Sequence, residues 1–553
     1  MLIAVSELIV RFMERLGVDT LYGIPGAHIL PVYDRLRDSG IRHILVKHEQ
    51  GAAFMAGGHA RASGRIGACI TTAGPGATNL VTGIANAYAD RLPVLIITGE
   101  TPTYIFGKGG LQESSGEGGS IDQVALFKGI TRYNKIVERT DYLETVLNQA
   151  ARILRSDKPG PVLLSFPYNL QKEMVDAAIL ERVATGRRSR GQSQCQEPAR
   201  ALADMLTQAR HPVIVAGHGC LRAGAQGQLA RLSDALGIPV ATSLKAKGAL
   251  SEQSPLALGS LGVTSSGHAY QYIVDHADLV LFLGAGFNER TSYVWDPTLL
   301  AGKRVAQVDS DFEQLEKVFK ADLAIEGDIR EVLDGVLEQL DAVDGTTLEP
   351  RRAEVGRTRA QVNSDYVLFQ SGFALIEQFF RRLEVAFPSG VQVFDDNIIF
   401  AQNFYNVAAG NRYHPNSGIS SLGHALPAAI GARLADPRIT FAILGDGGFQ
   451  MCGFELMTAV NHGVPVNVVL FNNGTMGLIR KNQFQHYDRR YIGCDFVNPD
   501  FALLAQAFGV AYKKVAAPDD LDDLFAHYDL AGAINLIEIV IDKDLFPNYS
   551  SRR

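Results

Sequence analysis

Apolar residues recur along the chain with two periods. Short continuous runs at 66–71, 94–98 and 162–166 read as buried strands, with stretches of helical spacing between them. They belong to a first block, 1–171, which opens on an amphipathic helix pattern over 5–16 interrupted by Arg11, Glu14 and Arg15. A second block, 199–340, repeats the alternation with strands at 213–216, 279–283 and 304–308. A third block, 366–553, ends on a strand at 534–541. Segments 172–198 and 341–365 are polar or charged and read as linkers. Alternating strands and helices predict parallel sheets covered on both faces. The expected fold class is therefore α/β, with three doubly wound parallel-sheet domains. The first and third blocks could share a fold, although no sequence self-similarity proves it.

Composition narrows the class without naming a chemistry. A chain of 553 residues is too long for one core. Its 46% hydrophobic and 20% charged residues describe a soluble globular protein. A net charge of −7 and a pI near 6.0 give no footprint for nucleic acid or membrane. Cysteines 69, 195, 220, 452 and 494 show no CxxC or Cys/His metal spacing, which points to a reducing compartment. The first residues lack signal-peptide character, and no apolar run reaches membrane-spanning length. A cytoplasmic location is expected.

Two constellations carry candidate chemistry. The first is ILGDGGFQMCGFELMTAVNHGVPVNVVLFNNGTMG. Strands are expected at 439–444 and 466–471, with a helix at 450–462 burying Met451, Phe454, Leu456, Met457 and Val460. Asp446 and Asn473 then lie just past the carboxyl ends of two strands, where open α/β sheets bind ligands. One carboxylate, one amide oxygen and the glycines Gly445, Gly447 and Gly448 suit Mg²⁺ and a diphosphate. The second constellation surrounds Glu49, which follows an apolar strand at 44–46 and precedes a small-residue helix at 51–62. Packed among Ala, Gly, Phe54 and Met55, a carboxylate would lose solvation, and its pKa would rise. That suits a group that holds or shares a proton. A glutamate favoured there only by the helix dipole is the plainer reading.

The order GIPGAHILPVYD (23–34), KHEQGAAFMAGGHAR (47–61), TAGPGATN (72–79) and DRLPVLIITG (90–99), followed by GDG…NN, is a third signal. It resembles the thiamine-diphosphate (ThDP) enzymes of the acetolactate synthase, pyruvate oxidase and benzaldehyde lyase superfamily, over essentially the whole chain. The resemblance implies a pyrimidine-binding, a central and a diphosphate-binding domain. It places Asp446, Asn473 and the Thr475 carbonyl on Mg²⁺, and Glu49 on the cofactor's aminopyrimidine. Gly76 and Asn79 would shape the pyrimidine pocket, and Gly445, Gly447, Gly448 and Met476 would line the cofactor. Leu422, in SGISSLGHALPAAIGARL (417–434), falls where the family has a bulky apolar residue that bends the cofactor; Asn397 and His424 fall nearby. In this family the site lies between subunits, so a homodimer or homotetramer is implied.

Other residues bear on substrate. His28 in GIPGAHI resembles an acid–base histidine of benzaldehyde lyase, and Gln112 in GGLQES matches a glutamine of the same relatives. Gly286 stands where acetolactate synthases carry an arginine near the 2-oxoacid carboxylate, with Arg290 four residues later. Asn482 aligns with their specificity tryptophan, and Trp295 lies elsewhere. A smaller or more polar acceptor pocket follows. Gly217-His218-Gly219-Cys220 is a weak dinucleotide signal; the central domain of relatives binds FAD, another nucleotide, or nothing. The expected function is a ThDP- and Mg²⁺-dependent carboligase acting on 2-oxoacids or aldehydes. A simple 2-oxoacid decarboxylase, a hydroxyketone lyase and a non-catalytic subunit are the alternatives.

Overall fold

A computed structural model of the chain describes residues 1–183, 196–340, 348–361 and 364–546. Helix α1 (Val5–Arg15) buries the apolar side expected of it, including Leu8, Ile9, Phe12 and Met13. The first sheet has six parallel strands: β1 (Thr20–Gly23), β2 (Arg42–Leu45), β3 (Gly67–Thr71), β4 (Val94–Glu100), β5 (Tyr133–Ile136) and β6 (Val162–Pro167). Their spatial order is β2-β1-β3-β4-β6-β5. Every residue of β3, β4 and β6 is buried, as continuous apolar runs require when both sheet faces are covered. Helix α2 (Glu49–Ser63) crosses one face of this sheet.

The central sheet holds β7 (Pro212–Ala216), β8 (Val240–Thr242), β9 (Ala257–Ser260), β10 (Leu279–Leu283), β11 (Arg304–Asp309) and β12 (Leu323–Glu326). Its order, β9-β8-β7-β10-β11-β12, is the doubly wound nucleotide-fold order with a switch point between β7 and β10. The third sheet holds β13 (Val391–Asp395), β14 (Arg412–Pro415), β15 (Ile439–Gly445), β16 (Val466–Asn472), β17 (Ala511–Val515) and β18 (Ile534–Val540), ordered β14-β13-β15-β16-β18-β17. Counted within each domain, the first and third sheets run second-first-third-fourth-sixth-fifth. The two domains share a topology that their sequences do not display.

Three expectations change. Residues 172–183 are not linker: Met174–Asp176 pairs antiparallel with Leu2–Ala4, and Leu180 and Val183 are buried. The charged stretch at 341–365 contains helix α3 (Leu348–Ala360), which docks on the central domain through polar contacts. Glu354 accepts the Tyr272 hydroxyl (2.8 Å), and Arg351 donates to the carbonyls of Leu236 (2.7 Å) and Arg210 (2.8 Å). A helix held this way carries little apolar stripe, so its pattern reads as linker. Residues 196–198 already belong to the helix Gln196–Gln208 and 364–365 to the helix Ser364–Gly372, while 184–195, with Cys195, 341–347 and 362–363 lie outside the described residues. Finally, the helix expected at 450–462 starts earlier and is broken. Beyond helix α4 (Ala425–Ala435) come α5 (Asp446–Cys452), a 3₁₀ turn (Gly453–Glu455) and α6 (Leu456–His462). The break shifts the helical phase, leaving Met451 and Phe454 exposed while Leu456 is buried.

The first and third domains meet where α2 lies on α4. A Cβ on Gly58 would collide with the Ala428 carbonyl, and one on Gly431 with the Met55 carbonyl. The backbones therefore touch reciprocally. Met55, Ala56 and Ala60 share one core cluster with Ala425, Leu426 and Ala429. Tyr22 donates to the Gly431 carbonyl (3.3 Å), and Asn86 to Asn416 Oδ1 (2.8 Å).

Gly58→Val should lower unfolding stability by about 3 kcal/mol, because the helices must part. The neighbouring Gly57→Ala, whose Cβ meets only Leu92 Cδ1 at 3.6 Å, should be neutral or stabilising by up to about 1 kcal/mol. Urea denaturation of both variants checks the pair.

Candidate active site

Residues singled out in the sequence gather at the carboxyl edges of two sheets. In the first domain, β2 leads into Lys47 and His48, and α2 starts at Glu49. His48 Nδ1 accepts the Gln50 N–H (3.1 Å) and so caps the helix. The Glu49 carboxylate accepts from Asn79 Nδ2 (2.9 Å). It is half-buried, less covered than the expected packing among Phe54 and Met55 implies. Those residues are buried further along α2, whereas Glu49 occupies its first turn.

His28 sits in a 3₁₀ turn (Ala27–Ile29) after β1 and is 9% exposed. Its Nδ1 lies 3.3 Å from Gln112 Oε1, which also accepts from Thr72 Oγ1 (3.4 Å). With the Gln112 oxygen as acceptor, His28 donates from Nδ1 and keeps Nε2 for another partner. The close approach needs glycines. A Cβ on Gly26 would lie 2.5 Å from Thr72 Cβ, and one on Gly74 (φ +59°) 2.9 Å from Gln112 Cβ. Gly76 sits on Thr72, its Cβ position 3.0 Å from Thr72 Cγ2. The loop carrying Gln112 is fixed by buried Glu100, which accepts from the Thr101 (2.8 Å) and Ser114 (3.0 Å) amides. Burial raises the Glu100 pKa.

In the third domain β15 delivers Asp446 into the first turn of α5. Its Oδ1 accepts from Gly447 N (2.9 Å); its Oδ2 accepts from Asn473 N (3.1 Å), Gly474 N (2.6 Å) and Asn498 Nδ2 (2.7 Å). Oδ2 is thus filled by three donors, and Oδ1 is the less committed oxygen. Asn473 follows β16, and its Oδ1 accepts from Thr475 N (3.3 Å). The Thr475 hydroxyl donates to the Cys494 carbonyl (3.0 Å). A Cβ on Gly447 would lie 2.7 Å from Met476 Sδ, one on Gly448 2.8 Å from Asp396 Oδ2, and one on Gly445 would meet nothing within 4 Å. These glycines form a cradle closed by Met476 and Asp396 and open at Gly445. Its oxygens are hard, as Mg²⁺ requires, with one carboxylate and open space beside Gly445. Among the described residues no three His, Cys, Asp or Glu side chains cluster as a metal site. Asn498 and Asp396 carry no motif and were not singled out in the sequence.

Asp396 supports the cradle from behind. It accepts from the amides of Gly423 (2.6 Å), His424 (3.0 Å) and Ala425 (2.9 Å), capping α4, and burial pushes its pKa up to about 6. Its neighbour Asp395 is pushed up to about 7 by burial and accepts the Tyr413 hydroxyl (2.5 Å). Asn397 adopts φ +65°, with Oδ1 accepting from Arg290 Nη1 (2.8 Å) and Gln402 Nε2 (3.3 Å). Leu422 is half-buried beside Gly423. His424 is buried edge-on against Phe54 (5.2 Å), and burial, aided by Arg61, lowers its pKa to about 3. Asn482 and Trp295 are exposed.

A cavity of about 250 Å³ opens at the central switch point, lined by His218, Arg222, Lys245 and Gly286, and by Arg290 and Gln402, the partners of Asn397. A Cβ on Gly217 would collide with the Gly284 carbonyl, and one on Gly219 would lie 2.7 Å from Gly284 Cα. The glycines of the weak dinucleotide signal are thus required by backbone packing between β7 and β10.

Known protein families match all three blocks of the chain. Residues 3–126 match the thiamine pyrophosphate enzyme N-terminal TPP binding domain, 199–336 the central domain, and 397–536 the C-terminal TPP binding domain. A probable acetolactate synthase large subunit of Methanocaldococcus jannaschii is 32% identical, across 97% of this chain and 92% of that protein. A probable 2-ketoarginine decarboxylase of Pseudomonas aeruginosa is 35% identical, across 97% and 93%. An acetolactate synthase large subunit of Lactococcus lactis is 31% identical, across 94% and 89%. No described helix is long and apolar enough to cross a membrane. The chain belongs to the thiamine-pyrophosphate-dependent enzymes, in the superfamily that includes the acetolactate synthases, and is an enzyme of the carboligase or decarboxylase type.

Proposed function

We propose that the protein is a ThDP- and Mg²⁺-dependent carboligase that decarboxylates a 2-oxoacid and joins the remaining carbons to a second carbonyl, forming a 2-hydroxyketone or acetohydroxy acid. Residues 1–171 would hold the pyrimidine, 366–553 the diphosphate, and 199–340 would form the central domain. One short segment carries the reading. Segment 72–79 links two polar pairs, because Thr72 donates to Gln112, itself against His28, while Asn79 donates to Glu49. A carboxylate for cofactor activation and a histidine–amide pair for substrate protons thus share one edge.

When bound, ThDP supplies the carbanion chemistry that lets a 2-oxoacid lose CO₂ and attack a carbonyl. Glu49 holds a proton at the aminopyrimidine, and Asn79 orients its carboxylate. Asp446 Oδ1, Asn473 and the Thr475 carbonyl hold Mg²⁺. Gly445, Gly447 and Gly448 admit the diphosphate, with Met476, Leu422 and Asn397 beside it. His28 Nε2 moves a proton at the substrate oxygen, and Gln112 fixes the ring. Arg290, anchored on Asn397, is the cation on that side, in place of the arginine that Gly286 lacks.

On this reading the two halves belong to different sites, each completed by a second copy of the chain. Large apolar side chains flank both: Tyr104 and Leu111 near Gln112, and Met451, Phe454, Leu478 and Ile479 near the cradle, all exposed. Patches of this kind mark association surfaces. A homodimer or homotetramer, each site shared by two copies, accounts for them. The chemistry is redox-neutral, and we assign no flavin to the central cavity. The buried free thiols of Cys69, Cys220, Cys452 and Cys494 accord with a cytoplasmic setting.

A simple 2-oxoacid decarboxylase is the second reading, favoured by the 35% identical relative named for 2-ketoarginine. Incubation with pyruvate, ThDP and Mg²⁺ should give acetolactate or acetoin; acetaldehyde alone would overturn ligation. Glu49→Gln should lower kcat by at least about 100-fold with the fold intact, as read by turnover and circular dichroism. Asn498→Ala should weaken Mg²⁺ binding about tenfold, measured by calorimetry with ThDP present, because Asp446 loses a partner that orients it.

A further inference from the structure

We propose that Glu455 is a positioning residue for Glu49, tying the element that begins at Asp446 to the start of α2. The inference rests on the cofactor reading above. From Asp446 the chain runs through α5, the 3₁₀ turn and α6 without a loop. Glu455 ends the turn and is 3% exposed. Its Oε1 accepts from Lys47 N (3.2 Å) and His48 N (3.0 Å); its Oε2 accepts from Lys47 N (3.3 Å) and Thr458 Oγ1 (2.7 Å). A Cβ on Gly51 would collide with Glu455 Oε1, so this carboxylate lies directly against the first turn of α2.

A buried carboxylate is costly unless its oxygens are filled by donors. Here backbone amides at a helix start fill them, and the positive end of the helix dipole favours the charge. Two turns further on, His462 extends the grip: its Nε2 accepts Leu45 N (3.1 Å), and its carbonyl accepts Arg42 Nη2 (3.0 Å). Residues 42–48 are therefore held by the third domain up to the residue before Glu49. Asn79 holds the Glu49 carboxylate from the other side. Backbone and side chain are fixed by different elements, which defines the direction of the carboxylate. An ångström of freedom there would cost activation heavily.

A clasp that only joins domains would leave cofactor activation untouched, and this separates the two roles. Glu455→Gln and Thr458→Val are compared with wild type and Glu49→Gln. Without cofactor, hydrogen–deuterium exchange is followed at the amides of Lys47 and His48. With ThDP and Mg²⁺, the exchange rate of the cofactor's C2 proton is read by acid-quench NMR, and ThDP affinity by calorimetry. Glu455→Gln should speed the two amides and slow C2 exchange, each about tenfold, with ThDP affinity within about threefold. Thr458→Val should move both rates in the same directions by less, and it serves alone if Glu455→Gln fails to fold. Faster amides with unchanged C2 exchange would overturn the proposal, as would no change in either. A wild-type protein that does not accelerate C2 exchange, or a Glu49→Gln variant that still does, would overturn the cofactor reading and this inference with it.

Discussion

The backbone contact between α2 and α4 is the constraint on which the rest of the arrangement depends. Gly58 against Ala428 and Gly431 against Met55 let two helices from different domains approach without side chains between them. Each helix begins at one half of the site. α2 starts at Glu49, and α4 starts after Gly423 and His424, whose amides Asp396 receives beside Gly448. Backbone–backbone contact allows little sliding, so the helix starts keep a fixed separation. Flexible side chains in the seam would transmit no such precision.

The same preference for backbone over side-chain partners recurs through the site. Asp446, Asp396, Glu100 and Glu455 are buried carboxylates whose bonds go largely to amide N–H groups. Amides are part of the fold and lose no rotamer freedom on pairing, so each acid fixes a loop more rigidly than a flexible cation would. Ion pairs do a different task at the domain junctions. Asp311 bridges Arg91 (2.6 Å) and Lys158 (2.5 Å), and Asp90 bridges Arg61 and Lys245. Those bridges hold domains together, while the amide-bound acids shape the site.

The shared strand order of the first and third domains accounts for the division of the proposed chemistry between them. In each, the switch point lies between the first and third strands, and loops on either side diverge there to leave a crevice. The first domain fills its crevice with Glu49, His28 and segment 72–79. The third fills its own with Asp396, Asn397 and the glycine cradle. On the proposed reading, one topology presents a proton-handling edge and an anion- and cation-holding edge. The central domain has the third-second-first-fourth-fifth-sixth order instead, and its glycines are occupied in packing β7 against β10.

By itself the sequence determined the most continuously apolar strands, the alternation of strand and helix along the chain, and the residues whose chemistry follows from local spacing. Glu49 at a helix start, and Asp446 and Asn473 past adjacent strands, were all legible, because strand ends and helix starts are set within a few residues. Tertiary structure alone decided the rest. His28 meets Gln112 across 84 residues, and Lys47 meets Glu455 across 408. Asn498 reaches Asp446 across 52. Such contacts depend on sheet order and on the α2–α4 seam, which leave no periodicity in the chain. The helix at 348–360 leaves no helical signal in the chain for a related reason, since it docks mainly by hydrogen bonds and not by an apolar stripe. Hydrophobic patterning records which side of an element is buried. It does not record which distant element covers that side, and that pairing decides what a polar side chain can touch.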